Sequence, residues 1–211
     1  MKPFPTIDEA EIVFKKGMEE AYIYEPDVSE ERISVTEIHS YLVAKAAYLI
    51  AKSIPNMDEN KAYVLGLLHD YGKFCGDAWG KKHFHGLAGY YRMLEMGYPE
   101  IARLSLTHTF HDKNFDVNDY AGYQKEDLKK AKELIKYMEF DDYDRLIQLS
   151  DLLVNNVDGF NTIDERMRRI QKWYNLPQDN IDKIIFQANK IKKYFENKYN
   201  CNIYKLLGIN E

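Results

Sequence analysis

Apolar residues recur along this chain at spacings of three and four, and stretches of strand length that alternate apolar with polar, or that are rich in β-branched residues, are scarce. That period sets the fold class as all-α. Helices are expected over 7–23, from Ser34 to about Ser53, from Asp58 to the His69-Asp70 pair, over 84–96, 99–109, 124–138, 142–156, 162–174 and 179–198, with a short one at 202–207. Their ends carry chemistry. Ser34 with Glu37, and Thr162 with Glu165, have the spacing of a capping box, in which hydroxyl and carboxylate satisfy the backbone N–H groups that open a helix. An acidic link through Glu25, Pro26 and Asp27 follows the first helix. Pro55-Asn56 and Gly97-Tyr98-Pro99 are breaks, Gly72 to Gly80 is a turn region, and 112–122 is a polar loop.

At 211 residues the chain should bury about 72% of its unfolded surface, enough for one core without a disulfide, so a single domain over 1–211 is expected. A net charge of -5 argues against a broad surface for a nucleic-acid polymer or an anionic membrane. Cys75 and Cys201 lie far apart, form no metal-ligand spacing, and suit a reducing compartment. The stretch through Glu11 is acidic and lacks an apolar signal core, and the longest apolar run, Tyr41 to Ala51, is interrupted by Lys45. A cytoplasmic protein away from the membrane is therefore expected.

One stretch stands out within the helical pattern. The apolar run from Ala62 to Leu68 ends abruptly in His69-Asp70, followed by Tyr71, Gly72 and Lys73. Adjacent side chains on a helix point about 100° apart, but where a helix is ending the second can swing round, so both could reach one metal ion. All six histidines, at 39, 69, 83, 85, 108 and 111, lie between the second helix and the start of the polar loop. His39 shares a stripe with Val43, Ala46 and Ile50, His69 with Ala62 and Leu65, His108 with Ile101 and Leu104, and Asp151 with Tyr143, Ile147 and Val154. Each therefore points inward. Taken singly, any of these histidines also fits a hydrogen-bonded core position. Several helices each aiming one polar group at one core imply that the groups satisfy one another through a cation, because buried carboxylates and imidazoles without partners are costly.

The order His39, His69-Asp70, Asp151, with Gly66-Leu67-Leu68-His69-Asp70-Tyr71-Gly72-Lys73 around the doublet, resembles the HD-domain superfamily of metal-dependent phosphohydrolases, in the branch whose doublet continues as His-Asp-x-Gly. The resemblance covers about 34–156, including the Asp144 to Leu153 segment, and leaves 157–211 as a C-terminal helical extension. It implies an HD-domain helical bundle with extra C-terminal helices. It also implies His39, His69, Asp70 and Asp151 as ligands of a first metal, and places His85 and His108 where binuclear members add two more. Gly97-Tyr98-Pro99 precedes His108, whereas the HD-GYP class has such a motif after a His-His pair, so it is read as a helix break.

The implied cofactor is a divalent transition metal, two ions drawn from iron, manganese, cobalt, nickel or zinc, with magnesium as a further candidate. The implied activity is cleavage of a phosphate ester or anhydride, foremost of a small nucleotide, by a metal-bound hydroxide. A di-iron oxygenase of the same fold and a non-catalytic metal-binding regulatory module are the alternatives. Asp70, with two oxygens, is the natural bridge between ions. Lys73, one turn on, either neutralises a phosphoryl oxygen or simply complements the helix dipole. Asp70 and Lys73 are thus the expected catalytic residues. His111 is read first as a surface residue, then as an outer contact or a proton donor. His83, with Lys81 and Lys82, is read as a solvated approach, and Arg145 as a surface or phosphate-anchoring group. Arg166, Arg168, Arg169 and Lys172 are read as a solvated face before a nucleotide grip, and Tyr41, Tyr71 or Tyr90 as stacking candidates. Asp112-Lys113-Asn114-Phe115-Asp116 starts like a calcium loop but lacks its glycine and its bidentate glutamate.

Overall fold

In the computed structural model, which describes residues 2–75, 83–120, 122–155, 157 and 159–210, ten α-helices and two short 3-10 turns follow one another, and the β-structure among the described residues is one isolated bridge, Val154 with Phe160. The helices are α1 (Ile7–Tyr24), α2 (Glu30–Lys52), α3 (Glu59–Leu68), α4 (His85–Glu95), α5 (Pro99–Thr107), α6 (Lys125–Ile135), α7 (Asp142–Asp151), α8 (Ile163–Tyr174), α9 (Gln178–Tyr199) and α10 (Ile203–Leu207). The expected all-α class is what the chain adopts. Among the described residues no helix is long and apolar enough to cross a membrane.

Caps explain most of the helix starts. Thr6 with Glu9, Asp141 with Asp144, and Thr162 with Glu165 form reciprocal capping boxes at α1, α7 and α8. Asp58 caps α3 by accepting from the backbone N–H groups of Asn60 and Lys61. α2 begins earlier than the Ser34–Glu37 spacing predicts. Ser29 takes the cap by accepting from the N–H of Arg32, and Glu30 and Glu31 then sit in the first turn, where the helix dipole favours them. α7 stops at Asp151, short of the predicted 156, because the chain turns back there. The Asn161 N–H donates to the Leu153 carbonyl at 2.9 Å beside the Val154–Phe160 bridge.

Helix α3 packs against α1, α2, α5 and α7 and so lies at the centre. Its contact with α2 is close to backbone-on-backbone. A Cβ at Gly66 would stand 2.7 Å from the Ala44 Cα. Gly72, in the 3-10 turn Tyr71–Phe74, is tighter still: a Cβ there would lie 1.8 Å from the His85 carbonyl oxygen and 2.5 Å from the Gly89 nitrogen. Only a residue without a Cβ lets this turn rest on the start of α4. Gly72→Ala is therefore expected to force the two segments apart, costing about 3 kcal/mol and shifting His85. Denaturant unfolding checks this, and a wild-type midpoint would sink the close-contact account.

The apolar interior forms two clusters. The larger collects residues of α1 to α5 and α7 to α10, among them Phe14, Ile50, Leu65, Leu68, Tyr71, Ile147 and Phe195. The smaller is built on Phe84, Leu87, Leu106, Phe110, Phe115, Leu128, Ala131 and Ile135, around α6 and the starts and ends of its neighbours.

Candidate metal centre

Most of the polar residues that meet between these clusters come from helix ends. His69 and His108 occupy equivalent places as the C-cap residues of α3 and α5, and each ring Nδ1 bonds a carbonyl three residues back, Gly66 at 2.7 Å and Ser105 at 2.8 Å. These carbonyls belong to the last turn, where the intrahelical ladder leaves acceptors over. A carbonyl only accepts, so each Nδ1 carries the hydrogen and each Nε2 presents a lone pair. Asp70 follows at φ -98° and ψ 12°, off the helical path, which turns its carboxylate to the side of His69. His85 is the first residue of α4, with its Nδ1 3.2 Å from the Tyr123 hydroxyl, and Asp151 is the last of α7. His39 comes from the interior of α2.

The two oxygens of Asp70 face different histidines. Oδ2 is 3.5 Å from the Nε2 atoms of both His39 and His69, whereas Oδ1 is 3.0 Å from His85 Nε2 and 3.5 Å from His108 Nε2. Asp151 Oδ1 lies 3.0 Å from His39 Nε2. The groups His39-His69-Asp70 and Asp70-His85-His108 each bring their donor atoms within 4.8 Å of one another, and they share Asp70. The Lys73 ammonium donates to Asp70 Oδ2. Five of these six side chains are buried; Asp151 keeps 25% of its side chain exposed.

The donor set suits cations. His69 Nε2 is buried without a hydrogen-bond partner, and the Nε2 atoms of His85 and His108 stand 3.2 Å apart, both directed at one carboxylate oxygen. The Nε2 lone pairs of His69 and His108 converge there with the Asp70 oxygens, a set of donors that favours a positive charge among them. Burial holds the His69 and His85 imidazoles down to about 3 and about 4, so both are neutral at pH 7, the form that binds metal. Burial pushes the Asp70 carboxyl up, but Lys73, His69 and His85 more than reverse this and hold it well below the carboxylate range. Asp151 is held low against burial by the hydrogen bond and charge of His39, then by His69 and Arg166.

A profile of the HD domain matches residues 36–156, and so spans all six converging side chains. The chain belongs to the HD domain family. Searches among curated proteins and among solved structures find no match. HD domains bind divalent metals and carry metal-dependent hydrolase-type activity, and His39, His69, Asp70, His85 and His108 form two groups able to hold such ions, with Asp151 beside His39. The match runs from within α2 to just past α7, and α1 and α8 to α10 lie outside it.

Several residues lie elsewhere than the sequence suggests. His111 is half-buried and not a plain surface group: its Nε2 is shielded without a hydrogen-bond partner, and burial lowers its pKa to about 4. The basic run on α8 is divided, with Arg168 and Lys172 exposed, Arg169 donating to the Asn155 carbonyl at 3.1 Å, and Arg166 buried 3.9 Å from Asp151. Tyr71 packs inside the larger cluster and has no face for a base, whereas Tyr41 and Tyr90 are half-buried. Arg145 pairs with Asp142 and stacks on Tyr194, away from the centre. His83 is 2.8 Å from Asp127; Lys81 and Lys82 lie outside the described residues. Tyr123, which supports His85, was missed because a tyrosine in a polar loop carries no periodic signal.

The lowered imidazole pKa values set the acid stability of the metal-free HD domain. Unfolded chain takes up protons as pH falls below the ordinary histidine value of 6.5, while folded His69 and His85 stay neutral down to about 3 and about 4. The stability is thus fully present above pH 6.5 and drains away between about 6.5 and 3, and Asp70 and Asp151 add a loss of the same sign at lower pH. Denaturant midpoints of metal-free protein should fall steeply over that window. A flat profile would contradict neutral buried rings.

Proposed function

We propose that this HD domain is a phosphohydrolase that cleaves a phosphate ester or anhydride of a small molecule, with small nucleotides the first class to assay. The observation that carries the reading is the division of Asp70 between two histidine pairs, which provides for two ions sharing one carboxylate. Two divalent ions so held supply Lewis acidity and lower the pKa of water. Asp70, ionised by its neighbours, holds the two donor groups in register. The carbonyl bonds from Gly66 and Ser105 fix the rings of His69 and His108, so little reorganisation is needed when substrate arrives. A small substrate suits the burial of five of the six converging side chains, with Asp151 and Lys73 the more exposed groups at 25% and 24% of their surface.

Lys73 is the group we assign to the developing negative charge on phosphorus oxygens. It rests on Asp70 and can swing to substrate on its flexible stem. Lys73→Met keeps length and apolar stem, and should lower kcat on the best phosphate ester by about 10²–10³-fold with metal content unchanged. Wild-type kinetics in that variant would return Lys73 to a helix-end role. The reading as a whole is tested by release of inorganic phosphate from phosphate esters and nucleotides by manganese-loaded protein.

A further inference from the structure

His108 closes α5, and the next α-helix begins only at Lys125. Helix ends fray, and their last carbonyls lack intrahelical partners, so a donor placed there needs support from outside its own helix. His69, at the same place on α3, has it from the 3-10 turn Tyr71–Phe74, which follows at once and rests on the start of α4. His108 has it from α7. The Gln148 side-chain amide donates to the carbonyls of Thr107 at 3.0 Å and Phe110 at 2.9 Å, and so holds the chain on both sides of His108. The Thr107 hydroxyl donates to Asp144 Oδ1 at 2.6 Å, while Asp144 Oδ2 accepts from the Asp141 N–H at 2.8 Å and from Arg103. Thr107, Asp144 and Gln148 are all buried.

Asp144, Gln148 and Asp151 are spaced four and then three apart, so they share one face of α7. A face turned to the interior is ordinarily apolar, and a buried carboxylate and amide are costly unless hydrogen-bonded. Here both bond the segment that carries His108. One rigid helix thus serves both halves of the centre: its end sets Asp151 Oδ1 3.0 Å from His39 Nε2, and its middle grips the chain around His108. We propose that Gln148 and Asp144 are positioning residues, which hold His108 against α7 and so keep an ion of the Asp70-His85-His108 group in register with one held by His39, His69, Asp70 and Asp151. This assignment rests on the two-ion reading of the centre and extends it to side chains outside the donor set.

Manganese titration of metal-free protein, followed by electron paramagnetic resonance, tests the proposal. Gln148→Met removes the donating amide and keeps a helix-forming side chain of similar length, and Thr107→Val removes the hydroxyl at nearly equal size. Each should weaken one of the two manganese ions by about 10-fold or more, the loss expected when a group behind a metal ligand is removed, and leave the other at wild-type affinity. The spectrum of a spin-coupled manganese pair in wild type should give way to that of isolated ions at the same loading. Thr107→Ser, which keeps the hydroxyl, should retain both the affinity and the coupled spectrum. A purely structural role would lower the denaturant midpoint without favouring one ion, so equal weakening of both ions overturns the proposal, as does wild-type binding of both in Thr107→Val. Should Gln148→Met fail to fold, Thr107→Val against Thr107→Ser decides alone, since Asp144 keeps Arg103 and the Asp141 N–H in both. Wild-type protein that binds a single ion removes the two-ion reading and the proposal with it, whereas two ions in wild type with no selective loss in the variants removes the proposal alone.

Discussion

Asp70→Ala should empty the centre of metal and lower turnover by at least about 10³-fold, the largest effect expected of any single substitution in this chain. Its two oxygens serve both histidine pairs, so its loss deprives both groups of the carboxylate they share and removes an acceptor of the Lys73 ammonium. His85→Ala and His108→Ala act on one side only. Each should lower metal content from about two ions per chain toward one, leaving His39, His69, Asp70 and Asp151 for the ion that stays. Elemental analysis of freshly purified protein reads all three variants. Wild-type stoichiometry in both histidine variants would make the centre mononuclear, and metal retained by Asp70→Ala would end the shared-carboxylate account.

Hydrolysis without oxygen is the second result to expect. Histidines and carboxylates in this order also suit an iron pair that activates oxygen, so the donor set does not by itself choose the chemistry. A hydrolase needs only Lewis acidity and water, which manganese or cobalt provide without changing valence. Protein loaded with either ion, assayed without oxygen against phosphate esters and nucleotides, should release phosphate or a nucleoside monophosphate. His69→Ala should abolish the release, because His69 Nε2 is among the buried lone pairs on which the centre depends. Oxygen consumption with an organic substrate by iron-loaded protein, while every phosphate substrate stays intact, would establish the oxygenase instead. Metal content without either activity would favour a regulatory module.

Much of this arrangement was legible in the sequence, and the parts that were not have definite causes. His39, His69 and His108 declared their direction because each extends an apolar helical stripe into a buried position, and Asp151 extends one into a half-buried position. His85 has no such stripe. It is the first residue of α4, and its placement depends on the backbone contact at Gly72, a relation between segments that periodicity does not carry. His111 was misread for a related reason. It lies past the end of α5, where Gln148 of α7 donates to the carbonyls of Thr107 and Phe110 and binds the departing chain to the core. The charge run on α8 shows that helical spacing does not say which face is which: Arg166 and Arg169 turn inward, and Arg168 and Lys172 outward. Ser34 failed as a cap because Ser29 offered the same hydroxyl ahead of two acidic residues.

The centre lies on the seam between the two apolar clusters. His39, His69 and Asp151 lie on or cap helices of the larger one, while His85 packs edge-on against Phe84 of the smaller and beside His108. The six side chains thus bridge two clusters that α5 and Tyr90 also join. Cooperativity and catalysis draw on the same atoms. A lineage of this chain cannot adjust its ligands for a new substrate without also resetting how firmly its two clusters cohere, and variants selected for robustness alone would be steered toward keeping the chemistry they were never asked to perform.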